Sequence, residues 1–248
     1  MKNTVSKKDL QNPSRRGFIQ KGSLLVAGAS IMGASGLVLS CKDQKSEKKD
    51  EHEKEEGEEG EMRVSANEDL MREHGLLQRM LLIYDHSMDQ IKNKEDFNSD
   101  YINQTATIVR NFVEEYHEKL EENYLFPRLK KANTLTELVD TLVQQHAGGR
   151  QVTAEIIEIT KNSKTPSEED NKRLLQLMNA FNIMYRPHEA REDTILFPAF
   201  KKVVSQNEYD SLGEDFEKKE HEKFGGDGFD MMVDKVANIE KQLGIHDL

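Results

Sequence analysis

Apolar residues fall at helical spacing along most of the chain beyond residue 62. Leu70, Leu77, Leu81 and Tyr84 recur three to seven positions apart, so they share one face of a helix, and His74 lies in line with them. Capping signals divide the rest. Ser65-Ala-Asn-Glu68 and Thr134-Leu-Thr-Glu137 have capping-box spacing and open the first and third helices. The third runs to about Asn162 with Gly148 and Gly149 inside it. Glycine costs stability there, so a close contact or local bend is expected. The second helix is predicted from about Ser99 to Asn123, ended by Pro127. Thr165-Pro-Ser-Glu168 opens the fourth, with proline at the first helical position. Four helices of about 25 residues on short loops predict an all-α, up-down-up-down four-helix bundle. Ser205-Gln-Asn-Glu208 starts a tail of one or two further helices, broken at Gly225-Gly226-Asp227-Gly228.

The first sixty residues break this pattern. Ser14-Arg-Arg-Gly-Phe-Ile-Gln-Lys21 precedes a short apolar run rich in Gly, Ala and Ser, ending at Val38-Leu39-Ser40-Cys41. The run is shorter and weaker than a stable membrane span. Together these features resemble a twin-arginine signal ending in a lipobox, the export signal of a bacterial lipoprotein. Residues 1–40 are therefore read as a signal peptide. The resemblance implies lipid on Cys41 and a place in the cell envelope. Residues 42–61 contain no apolar side chain, so 41–61 are read as a disordered charged tether carrying His52. The folded bundle is assigned to 62–248.

Composition narrows the function classes. The net charge is -11, and loss of 1–40 would take it to -16, which argues against a nucleic-acid partner. A single Cys forbids an intramolecular disulfide.

The candidate chemistry comes from a repeat. His117-Glu-Lys-Leu-Glu-Glu-Asn-Tyr-Leu-Phe-Pro127 and His188-Glu-Ala-Arg-Glu-Asp-Thr-Ile-Leu-Phe-Pro198 align without gaps. In each, a His and a Glu four apart face one way, one turn apart. His74 precedes His117 by 43 residues and His146 precedes His188 by 42, so a helix pair is repeated. Four imidazoles and two carboxylates then converge inside the bundle. Unpartnered, they would cost several kcal/mol to bury. A carboxylate-bridged metal pair removes that cost, and nitrogen and oxygen ligands without thiolate suit iron or manganese better than structural zinc.

These residues resemble the hemerythrin-like family with HHE cation-binding domains, over about 70–200 and the tail. The resemblance implies two non-haem iron ions, with manganese second. Glu121 and Glu192 would bridge them; His74 with His117 would hold one, and His146 with His188 the other. Two departures stand out against the oxygen-carrying members. Arg150 replaces a His four residues after His146, and the fourth helix has His-x-x-x-Glu rather than His-x-x-x-x-Asp. His221 is the candidate to fill the missing position. Glu118 and Glu189 are read as solvated or supporting groups rather than ligands. Tyr116, Tyr124 and Tyr185 are read as core caps with wet hydroxyls. Phe126, Phe197, Met71, Met178 and Met184 are read as core, and His86 and His246 lie outside the pattern.

Several functions remain open at this level. One is a di-iron protein of the envelope binding O2, NO or peroxide. Another is a peroxidase- or oxidase-type enzyme at the same centre. A third is an iron-holding or sensing module without turnover, and the metal-free reading is a lipid-tethered acidic interaction protein. Oligomeric state and reductant are not legible.

Overall fold

The computed structural model describes residues 64–161 and 164–246. The proposed signal, Cys41 and the tether with His52 lie outside the described residues.

Among the described residues the chain is all-α. Helix α1 is Ala66–Asn93. Helix α2 is continuous through Ser99–Ile108, a π-helical stretch Val109–His117, a single α turn Glu118–Leu120, a second π-helical stretch Glu121–Leu125, and Phe126–Lys131. Helix α3 is Thr136–Thr160. Helix α4 joins Glu168–Arg191, π-helical Glu192–Leu196 and Phe197–Val203. Helices α5 (Gln206–Phe224) and α6 (Gly228–Leu243) follow. No described helix is long and apolar enough to cross a membrane.

Local chemistry accounts for most of the boundaries. The Ser65 hydroxyl accepts the Glu68 N–H to start α1, and Lys94 ends it in a left-handed conformation. Ser205 caps α5 in the same way as Ser65 caps α1. Three boundaries differ from the sequence prediction. Pro127 does not stop α2. The Phe126 N–H bonds back five residues to the Glu121 carbonyl, so Pro127, which has no N–H, falls where the hydrogen-bond register changes. Phe197 bonds to Glu192 in the same way before Pro198. Thr134 does not cap α3. Its hydroxyl turns back to the Ala132 carbonyl, and Leu135 precedes the helix at φ 54°. In α4 the cap is Ser167, which forms a capping box with Asp170, so Pro166 lies outside the helix.

The predicted stripe of α1 is buried at Leu70, Leu77, Leu81 and Tyr84. Leu76, Met80 and Ile83 on its other side are buried too. The tail explains this, because α5 and α6 pack on α1. Arg79 pairs with Glu240, the Arg72 guanidinium lies 4.7 Å from the Phe229 ring centre, and the Tyr209 hydroxyl meets the Ser65 hydroxyl. Against α2, the Tyr116 hydroxyl donates to the Phe216 carbonyl and Phe112 packs on Phe224. Antiparallel α1 and α4 are tied where Asn182 donates to the Leu81 carbonyl and to Asp85. Phe126, Phe197 and Met178 are core and Met184 is half-buried, but Met71 is 45% exposed, a correction to its predicted core role.

Of the two central glycines, only Gly149 answers a steric need. A Cβ there would collide with the Tyr185 hydroxyl, whereas one at Gly148 would meet nothing within 4 Å.

Candidate metal centre

Each helix of the four-helix core delivers one histidine to a single buried layer: His74 from α1, His117 from α2, His146 from α3 and His188 from α4. Glu121 and Glu192 join them one turn further along α2 and α4, each at the first residue of a π-helical stretch. All six residues are at most 3% exposed.

The histidines meet in pairs. Nε2 of His74 lies 3.1 Å from Nε2 of His117, and Nε2 of His146 lies 3.2 Å from Nε2 of His188. Glu192 reaches across both pairs, with one oxygen 3.3 Å from His74 Nε2 and the other 3.2 Å from His188 Nε2. Glu121 lies 3.7 Å from His117 Nε2 and 3.5 Å from His146 Nε2. Glu121 thus belongs to two donor groups, one with His74 and His117, the other with His146, His188 and Glu192.

The other nitrogen of every ring is held from outside. Asp193 lies 2.7 Å from His74 Nδ1, Glu73 2.8 Å from His117 Nδ1, Glu122 3.1 Å from His146 Nδ1 and Gln145 2.9 Å from His188 Nδ1. Such an acceptor fixes the tautomer with the proton on Nδ1 and leaves Nε2 as a lone pair facing inward. Two facing lone pairs at 3.1–3.2 Å repel unless a cation or a proton lies between them. Apart from the imidazole nitrogens of these same pairs, neither oxygen of Glu121 or Glu192 has a hydrogen-bond donor. Buried acceptors without donors are the signature of a missing positive charge. A metal pair fits this donor set.

The protonation preferences agree. Burial and the negative charge of Glu192 push the Glu121 carboxyl well above its usual range. Burial also opposes ionisation of Glu192, but the imidazoles of His188 and His74 hold it well below that range. Burial opposes charge on His74 as well, yet Asp193 and Glu192 keep that ring protonated well above its ordinary value, while burial and the charge on His74 hold His117 well below.

The structure brings six of the seven predicted residues together and leaves out His221. His221 is exposed on α5, where Leu212, Phe216 and Glu220 face inward and the next position turns to solvent. The place four residues after His146 is taken by Arg150. Its guanidinium lies 2.6 Å from Glu118 and 2.7 Å from Glu122. Burial opposes ionisation of Glu122, but His146, Lys119 and Arg150 bring its carboxyl down to about 2.

Glu118 and Glu189 are supporting groups and not solvated, being 0% and 2% exposed. Glu189 accepts from Gln78 at 2.6 Å. Tyr185 is no wet cap: its buried hydroxyl donates to Glu118 at 2.6 Å, and its ring lies edge-on to His188. Burial raises Glu118 to about 8 despite Tyr185 and Arg150.

Sequence reasoning missed Glu73, Asp193, Glu122 and Gln145. The signal was adjacency, since each is the immediate neighbour of His74, Glu192, Glu121 or His146.

Comparison with known proteins agrees with the geometry. The model of the hemerythrin HHE cation-binding domain matches residues 65–200. An uncharacterized protein of Mycobacterium bovis is 44% identical over 188 residues, covering 76% of this chain and 74% of its own length. Uncharacterized proteins from two strains of Mycobacterium tuberculosis, CDC 1551 and H37Rv, match with the same identity and coverage. No solved structure gives a significant match. The four-histidine, two-glutamate layer inside a helical bundle and the matched domain coincide, and the chain belongs to the hemerythrin family of HHE cation-binding proteins.

Proposed function

We propose that the protein holds two non-haem iron ions in this layer and binds a small ligand there, O2, NO or peroxide, as an exported lipoprotein of the bacterial cell envelope. The observation that carries the reading is the arrangement of the four imidazoles. Each Nδ1 is engaged by an outer acceptor, and each Nε2 faces inward, 3.2–3.7 Å from an oxygen of Glu121 or Glu192. His74, His117 and Glu121 would hold one cation and His146, His188 and Glu192 the other. When bound, the pair supplies redox-active Lewis acid chemistry in a dry pocket. The protein's own part is to orient the rings, exclude water and keep an Arg, not a fifth imidazole, beside His146.

A turnover reading, with peroxidase- or oxidase-type activity at the same centre, is favoured by one observation. The Tyr185 hydroxyl, buried and donating to Glu118 at 2.6 Å on a ring edge-on to His188, keeps a proton donor beside the centre. The export part rests on the arginine pair, the apolar run and Cys41 in that order. Replacing Cys41 by Ser should release the protein from the membrane fraction.

The test of the centre is metal content with the near-ultraviolet and visible spectrum, before and after oxygen or peroxide. Two irons per chain, with an oxo-bridged ferric band that responds to ligand, is the expected result. A stably folded bundle without metal would sink the reading. Reversible bleaching on deoxygenation points to binding, and catalytic loss of peroxide points to turnover.

A further inference from the structure

The inner ligands of the two halves repeat, but the residues behind them do not. Under the internal two-fold, Asp193 behind His74 corresponds to Glu122 behind His146. Glu73 behind His117 corresponds to Gln145 behind His188. Gln78, four residues after His74, corresponds to Arg150, four residues after His146.

The charge differs at two of these correspondences, and at the third, Asp193 against Glu122, the neighbouring cations differ. Both imidazoles of the His74–His117 half are backed by carboxylates, at 2.7 and 2.8 Å. No lysine or arginine joins the His74–Asp193 pair among the described residues. In the other half, His188 is backed by the neutral amide of Gln145. His146 is backed by a carboxylate already shared with two cations, since Glu122 takes Arg150 on one oxygen at 2.7 Å and Lys119 on the other at 2.7 Å. A carboxylate behind an imidazole makes it a stronger donor and adds negative charge near the metal. An amide does neither, and a guanidinium opposes a neighbouring cation.

Resting on the two-metal reading above, we propose that the half-sites are unequal: His74–His117 is the retentive position, and His146–His188 is the exchangeable one, with Glu73 and Gln145 as the positioning residues that set the difference. The second cation is then the one lost first and the one that a different divalent metal replaces.

Repulsion between two neighbouring cations would by itself separate two binding steps. The informative readout is therefore which step each variant moves. The metal-stripped full chain is titrated with cobalt(II) alone, followed by its visible absorption and by calorimetry. Glu73→Gln should weaken the tighter step about 10- to 100-fold and leave the weaker one unchanged. Gln145→Glu should tighten the weaker step by a similar factor, about 10-fold or more, and leave the tighter one unchanged. Gln145 is only half-buried, so its isosteric change carries the test even if Glu73→Gln folds poorly. Two bound cobalt ions with neither variant selective, or with the two effects exchanged, would overturn the inequality and leave the two-metal reading standing. A folded wild-type chain that binds one ion or none would overturn the two-metal reading itself, and the inequality with it.

Discussion

Two adjacent glycines in α3 allow one chemical change to be tested in opposite directions. Gly148 is exposed, and a methyl there touches nothing within 4 Å. Gly148→Ala should therefore gain the helix-propensity difference, about 0.5–1 kcal/mol. At Gly149 the same methyl enters the space of the Tyr185 hydroxyl, which is buried and donates to Glu118 at 2.6 Å. The ring is confined between Phe181, at 4.3 Å between ring centres, and His188, at 5.4 Å, so it has little room to retreat. Overpacking costs about 1–3 kcal/mol. Leaving the buried hydroxyl and carboxyl without their hydrogen bond costs about 1–3 kcal/mol. Subtracting the propensity gain of about 1 kcal/mol leaves a net destabilisation of roughly 1–5 kcal/mol for Gly149→Ala. For a domain of this size, about 1 kcal/mol moves Tm by roughly 2–4 °C. Thermal unfolding of the two metal-free variants should then separate them by about 3 °C or more, with Gly148→Ala above wild type and Gly149→Ala below it. If Gly149→Ala rises alongside Gly148→Ala, the Tyr185–Glu118 contact is not held in place and the reasoning fails.

Glu121→Ala and Glu192→Ala should each lose metal and lower Tm, and unchanged metal content in both would refute the bridging assignment. The Arg79–Glu240 pair fastens α6 to α1, and although burial opposes it, Arg79 holds Glu240 below its ordinary value of 4.5. A carboxyl lowered on folding contributes stability above its unfolded pKa and loses it as pH falls through the folded one. Wild type should therefore lose more stability than Glu240→Gln when acidified from pH 7 to below 4.5, and parallel acid-unfolding curves would refute the linkage. Pro127→Ala with Pro198→Ala should raise helical circular dichroism slightly while lowering metal affinity. Unchanged affinity would mean that the register shift does not help to aim Glu121 and Glu192.

The helices and the six inner residues were legible because their signals are periodic. His-x-x-x-Glu specifies one helix face, and a second copy at the same context specifies a facing helix. What stayed hidden depends on contacts between helices. Asp193 reads as an ordinary surface acid beside Glu192 until α1 brings His74 to it. Thr134 has the right spacing to cap α3, but its hydroxyl finds the Ala132 carbonyl first. His221 was the candidate from the tail helix, but that helix uses Leu212, Phe216 and Glu220 for packing. Arg150 was noticed as a missing ligand, and its partners on α2 were not derivable from α3 alone.

The length of the repeated stretch also has a physical basis. A His–Glu pair needs five residues, yet the identity runs on to Leu-Phe-Pro, six residues past each glutamate. Proline inside an α-helix clashes with the carbonyl four residues back and removes a hydrogen bond. Both helices meet this constraint by shifting to bonds five residues apart, and both shifts begin at the glutamate, whose carbonyl accepts the Phe126 or Phe197 N–H. The phenylalanine then stacks on a histidine of the neighbouring helix, Phe126 on His146 and Phe197 on His74, with ring centres 5.7 and 5.6 Å apart. Proline, aromatic ring and carboxylate thus act on one turn. Proline is placed where the register changes, the ring packs against a histidine of the other helix pair, and the carboxylate starts from a widened turn at the centre of the bundle. The whole eleven-residue stretch is repeated because shortening it would keep the donors and lose the turn that aims them.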